Sequence, residues 1–155
     1  LPPEDSSVRP TAVSRTMFVD SIGADAAKTM LAHLSASTAP MRAVQIRGLG
    51  GAMARVPAGA TAFTHRSKAF LVNVAAFYQD RSTRDMHRAW VAALSPALQP
   101  DDDAGYVGFL TADDTARIRA AYPGATWDRL ARIKAVYDPA NVFRLNFNVP
   151  PAAAR

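Results

Sequence analysis

A chain of 155 residues, 49% apolar and 20% charged, is large enough for one domain with a real core, and it holds no apolar run long enough to cross a membrane as a helix. The lack of cysteine removes disulfides, thiolate chemistry and cysteine-ligated zinc, and leaves the compartment open, with the cytoplasm the working expectation. The net charge of +5 comes from basic residues scattered among Asp and Glu, fifteen of the eighteen being arginine. No basic stripe or recognition module accompanies it, so neither nucleic acid nor a membrane surface is expected as a partner.

Residues 1–14, with Pro2, Pro3, Pro10, Ser6 and Ser7 and nothing periodic, read as a linker. The opening Leu-Pro-Pro-Glu-Asp has no signal-peptide form, and no initiator Met precedes it, as in a processed or trimmed piece. Arg15 to Asp20 is β-favourable and is closed by Ser21 to Gly23. Ala27, Met30, Leu31 and Leu34 then recur at helical spacing, predicting a helix over 24–37 with His33 half-exposed beside its stripe. After Pro40, residues 41–47 alternate as a strand, with Val44 and Ile46 facing helices and Gln45 and Arg47 facing water or a polar cavity. The Gly48-Leu49-Gly50-Gly51 break matches neither a P-loop nor a dinucleotide fingerprint.

Ala52 to Val56 is expected to resume extended structure. Residues 68–78 are apolar on both faces, which predicts a central strand. Ser82-Thr83-Arg84-Asp85 resembles a capping box, and the helix after it is expected to bury Met86, Trp90, Ala93, Leu94 and Ala97 and to expose His87. Asp101-Asp102-Asp103 lacks the alternate spacing of a calcium loop and reads as solvated, so no metal site is expected. Tyr106 to Leu110 is the last strand candidate, Asp113 a candidate cap for a short helix, and Thr126 a candidate N-cap for a helix carrying Leu130, Ile133, Lys134 and Tyr137. Pro139 ends that helix, and an extended tail follows with Val142 and Phe143 as apolar anchors. If the tail is a strand, Asn146 and Asn148 point the same way.

The order β-α-β-β-β-α-β-α-α with short links predicts an α+β fold: an antiparallel sheet with helices packed on one face. Residues 15–125 would form the main layer and residues 126–155 a C-terminal helix and tail. Three polar elements can then converge on the uncovered face: Gln45 and Arg47, Tyr106, and Asn146 with Asn148. A tyrosine beside a cationic arginine is a route to a phenolic base; otherwise Tyr106 is a strand tyrosine with a satisfied hydroxyl.

Four runs carry a resemblance: Leu49-Gly50-Gly51-Ala52, Thr61-Ala62-Phe63-Thr64-His65-Arg66, Gly105-Tyr106-Val107-Gly108-Phe109, and the stretch from Arg129 to Pro150 around Tyr137-Asp138-Pro139-Ala140-Asn141. In this order and spacing they resemble the berberine-bridge-enzyme-like FAD-linked oxidoreductases of the vanillyl-alcohol-oxidase group, over roughly residues 15–150. The resemblance implies a substrate domain whose sheet roofs the active site over a flavin, plus the family's C-terminal segment. It implies hydride transfer from a small oxygenated or heterocyclic substrate to FAD, with oxygen as reoxidant.

By the same resemblance Tyr106, Gln45 and Arg47 are the catalytic candidates, and Gly108, Phe109, Asn146 and Asn148 lie towards the cofactor. Gly108 stands where the family usually has Asn, and Phe109 where some members have a second Tyr acting as base. The family's pyrophosphate loop and covalent flavin attachment have no counterpart in this sequence, which implies that FAD is bound mainly by a separate FAD-binding domain or chain. The alternative is a flavin-free ligand-binding module or a redox-neutral cyclase derived from the family; a plain partner-binding module is a third reading.

Overall fold

The computed structural model describes residues 10–98, 104–110 and 115–153. The Asp101–Asp103 loop and the Asp113 cap lie outside the described residues. Three strands, β1 (Thr11–Val19), β2 (Met41–Gly48) and β3 (Phe70–Tyr78), form one antiparallel sheet in the order β1-β3-β2. The doubly apolar strand is central, as its two-faced burial requires. β1 starts at Thr11, inside the stretch read as a linker.

Helices α1 (Ala24–Ser35) and α2 (Arg84–Leu98) cover one face of the sheet. Val13, Met17 and Val19 of β1 and Val72, Val74, Ala76 and Tyr78 of β3 point to that face, and they meet Met30 of α1 with Val91 and Leu94 of α2. This is the α+β layer that the element order implies. β2 is an edge strand, so only Val44 of its inner pair reaches the core and Ile46 remains 49% exposed. Arg42 on the same strand donates from Nε to the Leu34 carbonyl and from Nη1 to that of Ala39, placing a cation at the C-terminus of α1.

The stripe of α2 is shifted by one residue from the sequence reading. His87, Val91, Leu94 and Ser95 are buried, whereas Met86 is exposed and Trp90 only half-buried. The reason is a lateral contact. The Trp90 ring stacks on His33 at 4.6 Å, Trp90 Nε1 donates to the His33 carbonyl, and His33 Nε2 donates to the Trp90 carbonyl. With Trp90 turned to α1, His87 turns inward against Tyr78, ring centroids 4.8 Å apart, rather than to solvent. In α1, Met30 is buried, but Ala27 and Leu31 of the expected stripe are exposed. Asp80, not Ser82, provides the cap before α2: its carboxylate accepts the Ser82 N–H, and hydrogen bonding from the Ser82 side chain first, then from that N–H, holds its pKa below the usual aspartate value. Pro96 sits in the last turn, where the carbonyl it leaves unpaired belongs to exposed Ala92.

Two expected extended segments are turns. Gly50 and Gly51 adopt φ of 135° and 56°, and after the Leu49 N–H bonds to the Ala69 carbonyl the chain leaves the sheet, so Ala52 to Val56 forms turns. Residues 107–109 make a short 3-10 turn, with the Phe109 N–H on the Tyr106 carbonyl and the Leu110 N–H on that of Val107, so Tyr106 to Leu110 is not a strand.

Helices α3 (Thr115–Ala121) and α4 (Ala125–Tyr137) complete the described elements. Gly124, at φ 58°, precedes α4, and Thr126 lies inside its first turn rather than at its cap. Of the expected α4 stripe, Ile133 is 45% and Tyr137 84% exposed, and Ala131 is the buried position.

Candidate functional site

The antiparallel register sets two rows across the face opposite the helices. Gln45, Asn73 and Thr16 stand in one row; Arg47, Leu71 and Phe18 stand in the next. Period-two alternation fixes these side chains on a common face. The β2 end of the face is open, since Gln45 and Arg47 are exposed. The β1 end is roofed: Ala104, Leu49, Phe63 and Phe109 pack over Phe18 and Leu71.

The segment carrying Tyr106 is pinned by β1. The Tyr106 N–H donates to Thr16 Oγ1 at 3.1 Å, and Arg117 of α3, itself buried, donates from Nη2 to the Thr16 carbonyl at 2.7 Å. Gly105 sits where these meet. A Cβ there would lie 2.9 Å from Arg117 Nη2 and 3.1 Å from Thr16 Oγ1. The turn that follows places the Phe109 ring 4.9 Å from the Arg47 guanidinium carbon and 5.9 Å from the Tyr106 ring. Asn73 Nδ2 donates to Gln45 Oε1 at 3.4 Å, while Asn73 Oδ1 is buried with no hydrogen-bond partner among the described residues.

Arg47, Phe109 and Tyr106 therefore follow one another on this face, with Gln45 in the adjacent row beside Asn73. The guanidinium of Arg47 lies on the Phe109 ring, and Tyr106, 40% exposed, stands between Phe63 and Phe109. Gly108 lies directly under the Tyr106 ring, where a Cβ would come within 2.9 Å of Cε1.

The tail amides are arranged differently from the strand expectation. Residues 145–147 form a bend, Asn146 has φ of 61°, and Phe147 packs with Leu110, Ile118 and Ala121. Asn146 is exposed; Asn148 is half-buried, and its Oδ1 is buried with no hydrogen-bond partner among the described residues. Among the described residues, neither amide hydrogen-bonds to Gln45, Arg47 or Tyr106. Val142 and Phe143 are not anchors: they are 68% and 81% exposed. The turn before them is held instead by Asp138, whose carboxylate takes Lys134 Nζ and the N–H groups of Val142 and Phe143. The Lys134 bond comes first in holding the Asp138 pKa below the usual aspartate value; partial burial opposes it and the two backbone donors assist.

Sequence reasoning passed over Thr16, Phe63, His65, Asn73, Arg117 and Tyr122. Thr16 and Asn73 were visible as polar interruptions of otherwise apolar strands. His65 stacks on Phe18 at 4.3 Å, and Phe63 meets Phe18 edge-on at 5.9 Å. Burial first, then the nearby Tyr106 phenol, pushes the Tyr122 pKa above the usual tyrosine value. Among the described residues no cluster of His, Cys, Asp or Glu could hold a metal ion, and no helix is long and apolar enough to cross a membrane.

Residues 102–150 match the family described as "Berberine and berberine like". An uncharacterized FAD-linked oxidoreductase of Bacillus subtilis, YvdP, is 36% identical over 103 residues, which is 66% of this chain and 23% of the relative. The aclacinomycin-N/aclacinomycin-A oxidase of Streptomyces galilaeus is 27% identical over 143 residues, covering 81% of this chain and 26% of its own length. In fold, 94% of the chain superposes on 34% of the berberine bridge enzyme from Eschscholzia californica, with a TM-score of 0.79 at 20% identity. The chain thus spans about a quarter of the length of the curated relatives it matches.

An α+β layer with this open face is a fold shared with FAD-linked oxidoreductases. Within that class, the chain belongs to the berberine-bridge-enzyme-like family.

Proposed function

We propose that this chain forms the substrate side of an FAD-dependent oxidoreductase and caps a flavin held mainly by a separate FAD-binding domain or chain. The observation that supports this reading is that one sheet face carries Gln45 and Arg47 at its open β2 end and, beyond the Phe109 ring, Tyr106 on its β1 side. Bound FAD would supply the redox step, accepting a hydride from a small oxygenated or heterocyclic substrate before reoxidation by oxygen. On this reading Gln45 orients the substrate through its amide, Arg47 provides positive charge beside the reacting group, and Tyr106, acting as its phenolate, takes the substrate proton and becomes the neutral phenol. Residues 15–125 are the substrate layer and residues 126–155 its C-terminal brace, tied to it through Trp127 and Phe147 against Leu110 and Ile118.

The open face suits one side of a planar ring, with Phe109 and Gly108 at its rim and the tail amides Asn146 and Asn148 further off. The Gly48–Gly51 loop runs into turns rather than a helix N-terminus, so this glycine-rich loop is not a pyrophosphate cradle. Titrating FAD into the isolated chain should therefore give weak binding at most. The same titration with the FAD-binding part present should give a yellow complex that consumes oxygen with substrate. A complex that forms but is unaffected by Arg47→Ala and Tyr106→Phe would refute the assigned roles.

The second reading, a flavin-free ligand-binding module or redox-neutral cyclase, is favoured by one observation: the residue under Tyr106 is glycine, not the family's polar Asn. A colourless preparation that binds a small ligand, and gains no flavin from an FAD-binding partner, would establish it.

A further inference from the structure

We propose that the open sheet face takes a substrate bearing a single carboxylate, held by Arg47 with the Gln45 amide beside it. The proposal rests on the reading of this face as the substrate side and narrows the class of substrate. Arg47 is the one charged residue that the alternation of the three strands puts on this face. The rows run Arg47, Leu71, Phe18 and Gln45, Asn73, Thr16, and the two rows beyond them hold only Met, Ala, Phe and Ser.

Among the described residues Arg47 has no carboxylate or carbonyl partner; its contact is the Phe109 ring, 4.9 Å from the guanidinium carbon. Other arginines are engaged: Arg42 donates to the Leu34 and Ala39 carbonyls, Arg66 to the Met53 carbonyl and Thr61, and Arg129 to the Gly59 carbonyl. The ring against Arg47 is itself fixed, because the Phe109 N–H bonds to the Tyr106 carbonyl and the Tyr106 N–H to Thr16 Oγ1. An apolar surface thus positions the guanidinium while its donors stay available. Five donors in a planar fork match the two oxygens of a carboxylate.

Gln45 adds a second donor. Its Oε1 accepts Asn73 Nδ2 at 3.4 Å, so its own amide N–H groups remain for a ligand, and Asn73 is the positioning residue behind it. Gln45 and Arg47 are two residues apart on one strand, about 6.6 Å, close enough to serve one ligand. The charge then selects within the anions. One cation balances a monoanion, whereas a phosphate monoester carries up to about two negative charges and would keep part of its charge unmatched.

The test is NMR of the intact chain at low ionic strength, following backbone amides and the Arg47 Nε–H during titration with butyrate, butyramide and inorganic phosphate. Butyrate is expected to move the Gln45 and Arg47 signals, to bind about fivefold more tightly than its neutral isostere butyramide, and to weaken as salt is added. Arg47→Met should remove that preference and Arg47→Lys should keep part of it. Arg55→Met, which alters an exposed arginine in the turns outside the sheet, should leave it intact. Equal affinity for butyrate and butyramide, phosphate bound more tightly than butyrate, an equal loss in Arg55→Met, or a preference that survives in Arg47→Met would each overturn the proposal. Should Arg47→Met not fold by circular dichroism, the comparison of butyrate with butyramide on the unaltered chain decides it. No flavin enters the measurement. A failed butyrate titration beside flavin bands that respond to the chain would sink the carboxylate alone; a butyrate site beside unresponsive bands would sink the flavin reading alone.

Discussion

Thr16 shows how one buried hydroxyl positions a candidate catalytic residue. It is fully buried, accepts the Tyr106 N–H through Oγ1, and offers its carbonyl to Arg117. Thr16→Val keeps the shape but leaves the Tyr106 N–H without its partner. The expected cost is about 1–3 kcal/mol, read as a lower Tm together with a changed Tyr106 environment. Gln45 and Arg47 were legible in the sequence because period-two alternation in an edge strand dictates their side. The condition for Asn146 and Asn148 to share a direction, a strand, is not met because the tail bends; an Asn at φ 61° breaks the alternation locally. Asn73 was passed over because a lone amide in an apolar strand gives no periodic signal, although its position beside Gln45 follows directly from the register.

At the scale of elements, amphipathic spacing located α1, α2 and α4 but did not settle which residues face inward. The α2 stripe is set by the sideways Trp90–His33 contact, a tertiary preference that spacing cannot carry. Leu94 is 1% exposed and Leu31 is 65% exposed, although both sat on predicted apolar faces. Leu94→Ala should cost about 2–5 kcal/mol, whereas Leu31→Ala should stay within about 0.5 kcal/mol; chemical denaturation of the pair checks both. The Tyr106 segment looked like a strand because its aromatic and β-branched residues favour one, yet Gly105 and Gly108 let it fold into a tight turn against β1 and Arg117.

The turn after α4 has a pH dependence with a definite sign. Asp138 has a folded pKa below its ordinary value, so its contribution is fully present above about 3.9 and is lost as pH falls through the lower, folded value. Amide exchange at Val142 and Phe143 should accelerate in that acidic window. Asp138→Asn, which loses the charged acceptor, should accelerate it already at neutral pH and flatten the dependence.

Across the whole molecule, the α+β layer was readable from the order of elements, the central strand from the doubly apolar run 68–78, and the family resemblance from four short runs of residues; the fold agrees with the first two. The exposed apolar side chains gather on one stretch: Val136, Tyr137, Val142, Phe143 and Leu145 are each at least 68% exposed. Exposed apolar stretches of this kind commonly coincide with association surfaces. On the proposed reading it is covered by the protein that holds the flavin, while the Gln45–Arg47–Tyr106 face looks onto the ring. The visible spectrum of FAD, recorded with the flavin-binding part present and with this chain either unaltered or carrying Arg47→Ala, tests that arrangement most directly. The account predicts that adding the unaltered chain shifts the flavin bands and that Arg47→Ala reverses much of the shift; bands indifferent to the chain would contradict it.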